Sequence, residues 1–554
     1  MREASQDYDG SAMFIRTKRV HQNDRVYEYL LLVESERRGR RMYQRVIANL
    51  GRADQLDRSR IDEMITALGK IAESVVPVDP YSEAAGYLGG KTLGALPIWR
   101  RLWEQLGIGE YLRAVTSERQ APLELAAFVM VAARLMEPAS KRRTFQEWLG
   151  SVYWPEFEGL SLQHLYRALD VLADAKGEIE KRLWNRTQEL FAPEVDLVLL
   201  DTTNSYVHGP TRGELAQFGP SKEKRFDRRL VSIGLLATRD GVPIGHDVYA
   251  GNTGDTVAFS TMVSSLKKRF RIGRVVLCAD RGMVSEKILA ELREMGMEYV
   301  VGARPGNLAE EAISYKGANW KDVAGLEIRV KPMAVDGETY VVCYNPKEAE
   351  HDRKRRQEIV SRLRQRLAEN PSGSSLLRNT SFRGYVRLKG AAVEIDEAKI
   401  QASERYDGKY VLRSNANLSH EDMARAYRQL YQIERAFRDL KGPLELRPIR
   451  HFTDRRIRGH VMVCFLAYAL EMALRQALTG EKGAVLPEGD YHEIMQDLGK
   501  TTVATIAGER RVYQVRSPLA GRAHEAYAAL GMRPPNKVLE APDDDPKASR
   551  QGEV

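Results

Sequence analysis

What most constrains the fold of this chain is a series of apolar runs within residues 195–305. VDLVLLDTTNSYVH (195–208) is almost unbroken in apolar character before it turns polar, as in a strand buried on both faces. LVSIGLLAT (230–238) and PIGHDVYAGN (243–252) follow around the turn Arg239-Asp240-Gly241 and read as two more strands. A helical stretch over 257–270 leads to GRVVLCADRG (273–282), and a second over 285–295 leads to EYVVGARP (298–305). A three-strand meander followed by two strands, each reached through a helix, demands a sheet covered by helices.

The order β-β-β-α-β-α-β matches a ribonuclease-H-like core in an α/β chain, and the flanking texture divides the rest. Residues 1–80 read as an amino-terminal β module with a linking helix over 58–75, its strands being MFIRTKRV, VYEYLLLVESE and RMYQRVIANLG. Its basic residues (Arg16, Lys18, Arg19, Arg37, Arg38, Arg40, Arg41, Arg45) form either a DNA-facing surface or a merely solvated one. Residues 81–193 have helical periodicity and form a helical domain, with the basic cluster Lys141, Arg142 and Arg143 at a helix start. Residues 194–305 are the first part of the core. Short alternating strands and one strongly basic helix over 306–405 read as a mostly β domain inserted into the core. The core resumes over 406–480, and 481–554 add a short β segment and a disordered tail.

With 85 Lys and Arg against 76 Asp and Glu, the net charge is +9, which favours a polyanionic partner. Cys278, Cys343 and Cys464 are scattered, so neither a disulfide framework nor a structural zinc site is expected, and a reducing compartment is. The most apolar run, 461–470, is ten residues, short of the roughly 20 that span a bilayer. No signal peptide opens the chain, and a cytoplasmic protein with no membrane partner is expected. AGYLGGKT (85–92) mimics a phosphate loop, but VPVDPYSEA before it is too rich in proline for the buried strand such a loop follows.

Three acids stand out. Asp201 lies where the apolar part of its strand ends, and Asp280 closes the run VVLCA. Glu434 lies on a helix opened by Ser419 and Asp422 and stopped by Gly442-Pro443. There Tyr427, Leu430, Tyr431, Phe437 and Leu440 recur at helical spacing, and Glu434 is expected on that same buried side, between Leu430 and Phe437. Each acid alone has a structural explanation in a turn, a cap or a helix ion pair. Together, at the ends of core elements, three carboxylates would repel unless divalent cations neutralise them. Hard oxygen ligands suit Mg²⁺, with Mn²⁺ as its substitute, and two such ions catalyse phosphoryl displacement. Asp196, Asp227, Asp255 and Asp407 are rivals; Asp255 is the most serious, but a helix N-cap accounts for it.

PASKRRT (138–144), LLDTTNSYVHG (199–209), SKEKRFDRRLVSIGLL (221–236), PIGHDVYAGNTGDT (243–256), VVLCADRGMVS (275–285) and YDGKYVLRSN (406–415) carry a resemblance. They are joined by Tyr427-x2-Leu430-x3-Glu434-x6-Lys441, then RPIRHF and RIRGH. The set resembles bacterial insertion-sequence transposases of the DDE type, within the insertion-sequence-four grouping. The resemblance implies that Asp201, Asp280 and Glu434 bind the metals and that Tyr427 and Lys441 contact DNA phosphates near the cut. Arg435 and Arg438 on the same helix are further phosphate-holding candidates. The family pattern has Arg where Leu430 stands, which leaves a hairpin step open. The implied function is cut-and-paste transposition by a nucleoid-associated enzyme. It would cleave terminal inverted repeats of double-stranded DNA and join 3′-hydroxyls to a target, as a homodimer in the synaptic complex. A nuclease of the same core without strand transfer, and a non-catalytic DNA-binding descendant, are the alternatives.

Overall fold

The computed structural model describes residues 12–22, 25–38, 41–53, 86–191, 197–222, 226–269, 276–304, 320–335, 338–369, 376, 379, 381–389, 392–481, 484–507 and 512–539. The expected helix over 58–75 and the tail beyond 539 lie outside these residues. The chain forms two compact units, one of residues 1–88 with 505–513 and 541–554, the other of 89–504 with 514–540.

In the first unit β1 (Ala12–Gln22), β2 (Arg25–Arg38) and β3 (Arg41–Arg52) form an antiparallel sheet in the order β1-β2-β3. Arg19 stands opposite Glu28 and Arg45 opposite Glu34, and both pairs close at 2.8 Å. Part of this module's basic charge is therefore spent on cross-strand pairs, worth little each at an exposed site. The side chains of Arg37, Arg38, Arg40 and Arg41 lie outside the described residues.

β4 (Gly86–Thr92) spans the boundary at residues 88 and 89, so the phosphate-loop look-alike lies largely within a strand. Helices α1 (Leu96–Gln105), α2 (Ile108–Thr116), α3 (Leu123–Met136), α4 (Leu162–Asp174) and α5 (Lys176–Phe191) follow. Then come β5 (Leu197–Val207), β6 (Arg229–Thr238) and β7 (Pro243–Ala250). α6 (Asp255–Arg269) leads to β8 (Val276–Ala279), and α7 (Glu286–Glu294) to β9 (Glu298–Ala303). β5, β6 and β7 pair antiparallel, while β8 joins β5 and β9 joins β8 in parallel.

The sheet continues past β9. β10 (Lys321–Asp322), β11 (Arg329–Val335) and β12 (Glu338–Tyr344) reach it through β15 (Lys409–Ser414), completing nine strands in the order β10-β11-β12-β15-β9-β8-β5-β6-β7. Of the stretch read as a mostly β domain inserted into the core over 306–405, three strands extend the core sheet. The stretch between holds the 24-residue helix α8 (Pro346–Glu369), a hairpin of β13 (Val386–Lys389) and β14 (Ala392–Ile395), and α9 (Glu397–Glu404). These share a small core of Leu363, Leu376, Phe382, Val386 and Val393. Edge strands and insert strands have the same alternation, so the periodicity could not tell them apart.

The carboxy-terminal helices are α10 (His420–Arg428), α11 (Leu430–Lys441), α12 (Asp454–Thr479) and α13 (Glu488–Gly499). α12 packs on α3, α4 and β7. Gly459 permits this closeness, because a Cβ there would meet the carbonyl of Leu169 at 2.2 Å. By length and hydropathy α12 could cross a bilayer, but 83% of its apolar window is buried inside the protein, as in a core helix. β5 is buried on both faces: Leu199 belongs to the core shared with α12, and Val198 and Leu200 to the core shared with α6 and α7. Alternation then turns Asp201 toward the α11–α12 side and Thr202 toward α6.

Candidate active site

The two aspartates meet through strand register. Leu200 of β5 pairs in parallel with Ala279 of β8, so Asp201 and Asp280 are the residues that directly follow the last pair of this ladder. β5 does not stop at Asp201, as the apolar pattern implied; it runs on to Val207, paired with β6. β8 does stop, and Asp280 opens a short turn of helix over Arg281–Met283. The gap that opens beside β5 beyond Ala279 is the candidate site.

The Thr202 N–H donates to Asp201 Oδ1 at 2.7 Å, and the Tyr427 hydroxyl donates to Asp280 Oδ1 at 3.0 Å. Tyr427 lies at the end of α10, and its ring stacks on Tyr410 at 5.7 Å. Gly302 makes room for it, since a Cβ there would stand 2.9 Å from the Tyr427 hydroxyl. Thr202 Oγ1 donates to Asp255 Oδ1 at 2.6 Å, bringing the head of α6 to the same place. Lys222, from the loop before β6, lies 3.9 Å from Asp201 and 3.8 Å from Asp255. Burial pushes the Asp201 carboxyl up to about 6; Asp255 and Asp280 add to the shift, and Lys222 and the Thr202 N–H oppose it. An anion this disfavoured, next to two more carboxylates, suits a divalent cation.

Glu434 is placed differently from expectation. The helix breaks at Gln429, and the buried stripe of α11 is Leu430, Ile433, Ala436, Phe437 and Leu440. Glu434 flanks that stripe and is exposed, as is Tyr431. The expectation counted Tyr431 as apolar core and passed over Ile433, which rotated the stripe toward the acid. α11 nonetheless packs on β5 and β6. Glu434 has no hydrogen bond or ion pair among the described residues, and no group of three metal-ligating side chains is gathered among them.

The basic candidates also divide. Arg438 is exposed, whereas Arg435 bonds Glu488 of α13 at 3.1 Å and lies 3.9 Å from Asp439. Lys441 is half-buried. Lys141 is turned inward, 3.4 Å from His460, and burial, with Arg134 adding to it, pushes its ammonium down to about 7. Arg142 and Arg143 stay exposed. On α8, Arg353, Lys354, Arg355, Arg362, Arg364 and Arg366 are exposed, while Arg356 is buried against Asp407. Sequence reasoning missed Lys222, Thr202 and Gly302. Asp255 was in view but assigned to a cap.

A family model described as a transposase DDE domain matches residues 194–470, half of the chain. A second, described as the amino-terminal domain of IS1634 family transposases, matches residues 15–79, which replaces the insertion-sequence-four grouping expected from the motifs. No curated protein matches. Among solved structures, a cryo-EM structure of a piggyBac transposase synaptic complex with hairpin DNA is similar at 10% identity and a TM-score of 0.39. The match covers 74% of this chain and 82% of that one.

Proposed function

Starting from the fact that the chain belongs to the DDE transposase family, we propose that it is a cut-and-paste enzyme. It binds terminal inverted repeats, cleaves the element ends and joins their 3′-hydroxyls to target DNA. The observation that carries this reading is that Asp201 and Asp280 directly follow Leu200 and Ala279, the last in-register pair of β5 and β8. The strand order, with β8 and β9 parallel to β5, supports a ribonuclease-H-like core.

Asp201, Asp280 and Glu434 would hold two divalent cations, Mg²⁺ or Mn²⁺, which when bound activate the nucleophile and stabilise charge at phosphorus. The donors' chemistry, hard carboxylate oxygens, fits such ions: Asp201 and Asp280 lie close enough to interact, and Glu434, not gathered with them among the described residues, is exposed on a helix packed against β5. The chain's own work is positional. Thr202 fixes one Asp201 oxygen, and Tyr427 fixes one Asp280 oxygen, while the other oxygen of each accepts no hydrogen bond from the described residues. Arg438 and the exposed arginines of α8 hold DNA phosphates. Two ends must be brought together, so the working form is a homodimer on DNA.

The test is incubation of the purified protein with a labelled element end and Mn²⁺, with products sized on a denaturing gel. Asp201→Asn, Asp280→Asn and Glu434→Gln are each expected to lose cleavage while retaining end binding. Parental cleavage by Glu434→Gln removes that residue from the site; parental cleavage by both aspartate variants sinks the reading. Cut but never joined products would instead favour a nuclease.

A further inference from the structure

Lys222 has an unusual position for a lysine beside proposed metal ligands. Its Nζ donates to the Thr202 carbonyl at 2.6 Å and to Thr202 Oγ1 at 3.2 Å. Its distances to the carboxylates, 3.9 Å to Asp201 and 3.8 Å to Asp255, are too long for hydrogen bonds but short for charge attraction. The ammonium is thus tethered to the β5 backbone and suspended between two acids whose oxygens it does not occupy. Asp255 is fixed there by the Thr202 hydroxyl, which accepts from Lys222 and donates to Asp255 Oδ1. This is more than a helix start requires, because the carboxylate is held toward Asp201 by another element's side chain.

We propose that Lys222 is the resident counter-cation of this site, filling the space between Asp201 and Asp255 until a divalent cation displaces it, and that Asp255 belongs to the set that attracts the ion. The inference rests on the metal-binding reading above. Lys222 and Asp255 are positioning residues: they set how tightly the aspartates take up metal without touching DNA or the reacting atoms. The lysine side chain is 43% exposed and lies in a loop, so it can swing outward without opening the core. A unit charge this close competes directly with an incoming dication. Removing it should tighten metal binding, whereas removing an ordinary structural lysine should leave binding alone or weaken it.

The test is Mn²⁺ binding to the full chain without DNA, followed by electron paramagnetic resonance of the free ion. Asp201→Asn identifies the binding that belongs to this site. Lys222→Met is expected to tighten that binding by about tenfold, and Asp255→Asn to weaken it by about tenfold. Lys222→Gln, which keeps a donor for the Thr202 carbonyl, should move in the same direction as Lys222→Met, and thermal unfolding of each variant checks its fold. Unchanged or weaker Mn²⁺ binding in both folded lysine variants overturns the proposal, while binding still lost in Asp201→Asn leaves the metal site standing. If neither the parent nor the lysine variants show Mn²⁺ binding that Asp201→Asn removes, the metal-site reading fails, and this inference fails with it.

Discussion

Two groups of carboxylates in the same unit, each holding an acid that burial pushes toward protonation, Asp201 in one and Glu471 in the other, are managed in opposite ways. Beside the end of β8, Asp201 of β5 and Asp255 at the head of α6 keep 23% and 37% of their side chains exposed and face a lysine on a loop. Between α11 and α12, the side chains of Asp439 and Glu471 are 10% and 11% exposed, and their cations come from neighbouring helix turns. Arg435 lies 3.9 Å from Asp439 and Arg475 3.7 Å from Glu471. Arg475 is itself tied to the Leu486 carbonyl by two hydrogen bonds, at 2.9 and 2.6 Å. A buried guanidinium on a packed helix is a fixed neutraliser, while a 43%-exposed ammonium on a loop can be exchanged. Burial alone therefore does not mark a reactive acid; what matters is whether its counter-charge can leave.

The largest effect that would break this contrast is on chemistry. Asp280→Asn should lower strand cleavage by at least about a thousandfold, whereas Asp439→Asn should leave single-turnover cleavage within about threefold. Comparable losses in both would mean that the buried pair also serves the reaction. Next, Tyr427→Phe takes the hydroxyl from Asp280 and should slow cleavage by about ten- to a hundredfold, the worth of a hydrogen bond to a charged group. If filter binding to an element end weakens instead, with the single-turnover rate intact, the hydroxyl serves DNA rather than Asp280.

The buried pair predicts a pH effect on stability. Burial, with Asp439 adding to it, pushes the Glu471 carboxyl up to about 7 from 4.5, against Arg475 and Arg435. The folded protein holds that proton more tightly than the unfolded chain. This contribution is therefore complete below about pH 4.5 and is lost as pH rises through about 7. Urea unfolding of Glu471→Gln should show a gain over the parent at pH 8 relative to pH 4.5 of up to about 3 kcal/mol. A difference flat across that range would mean Arg475 neutralises Glu471 fully. The smallest effect belongs to the amino-terminal sheet, where Arg19→Ala should cost less than about 1 kcal/mol by the same measurement.

Much of the core was legible because buried strands and helices print their period in the residues. The runs ending at Leu200 and Ala279 placed Asp201 and Asp280 on neighbouring strands before any coordinates. Glu434 was harder: one helical turn carries both Tyr431 and Ile433, and choosing the wrong one as core rotates the expected face toward the acid. The fate of residues 321–344 was also hidden, because a strand's alternation says that it pairs but not with which sheet.

The amino-acid sequence by itself determined most of the core elements and that Asp201 and Asp280 follow two buried apolar runs, since local apolar periodicity is written into neighbouring residues. Only the tertiary structure decided that Lys222 and Asp255 join them, that Tyr427 holds Asp280 and that Glu434 faces outward. Those contacts join residues 20 to 147 positions apart. Which of the many charged side chains become neighbours at that range depends on strand register and helix packing, which no local pattern records.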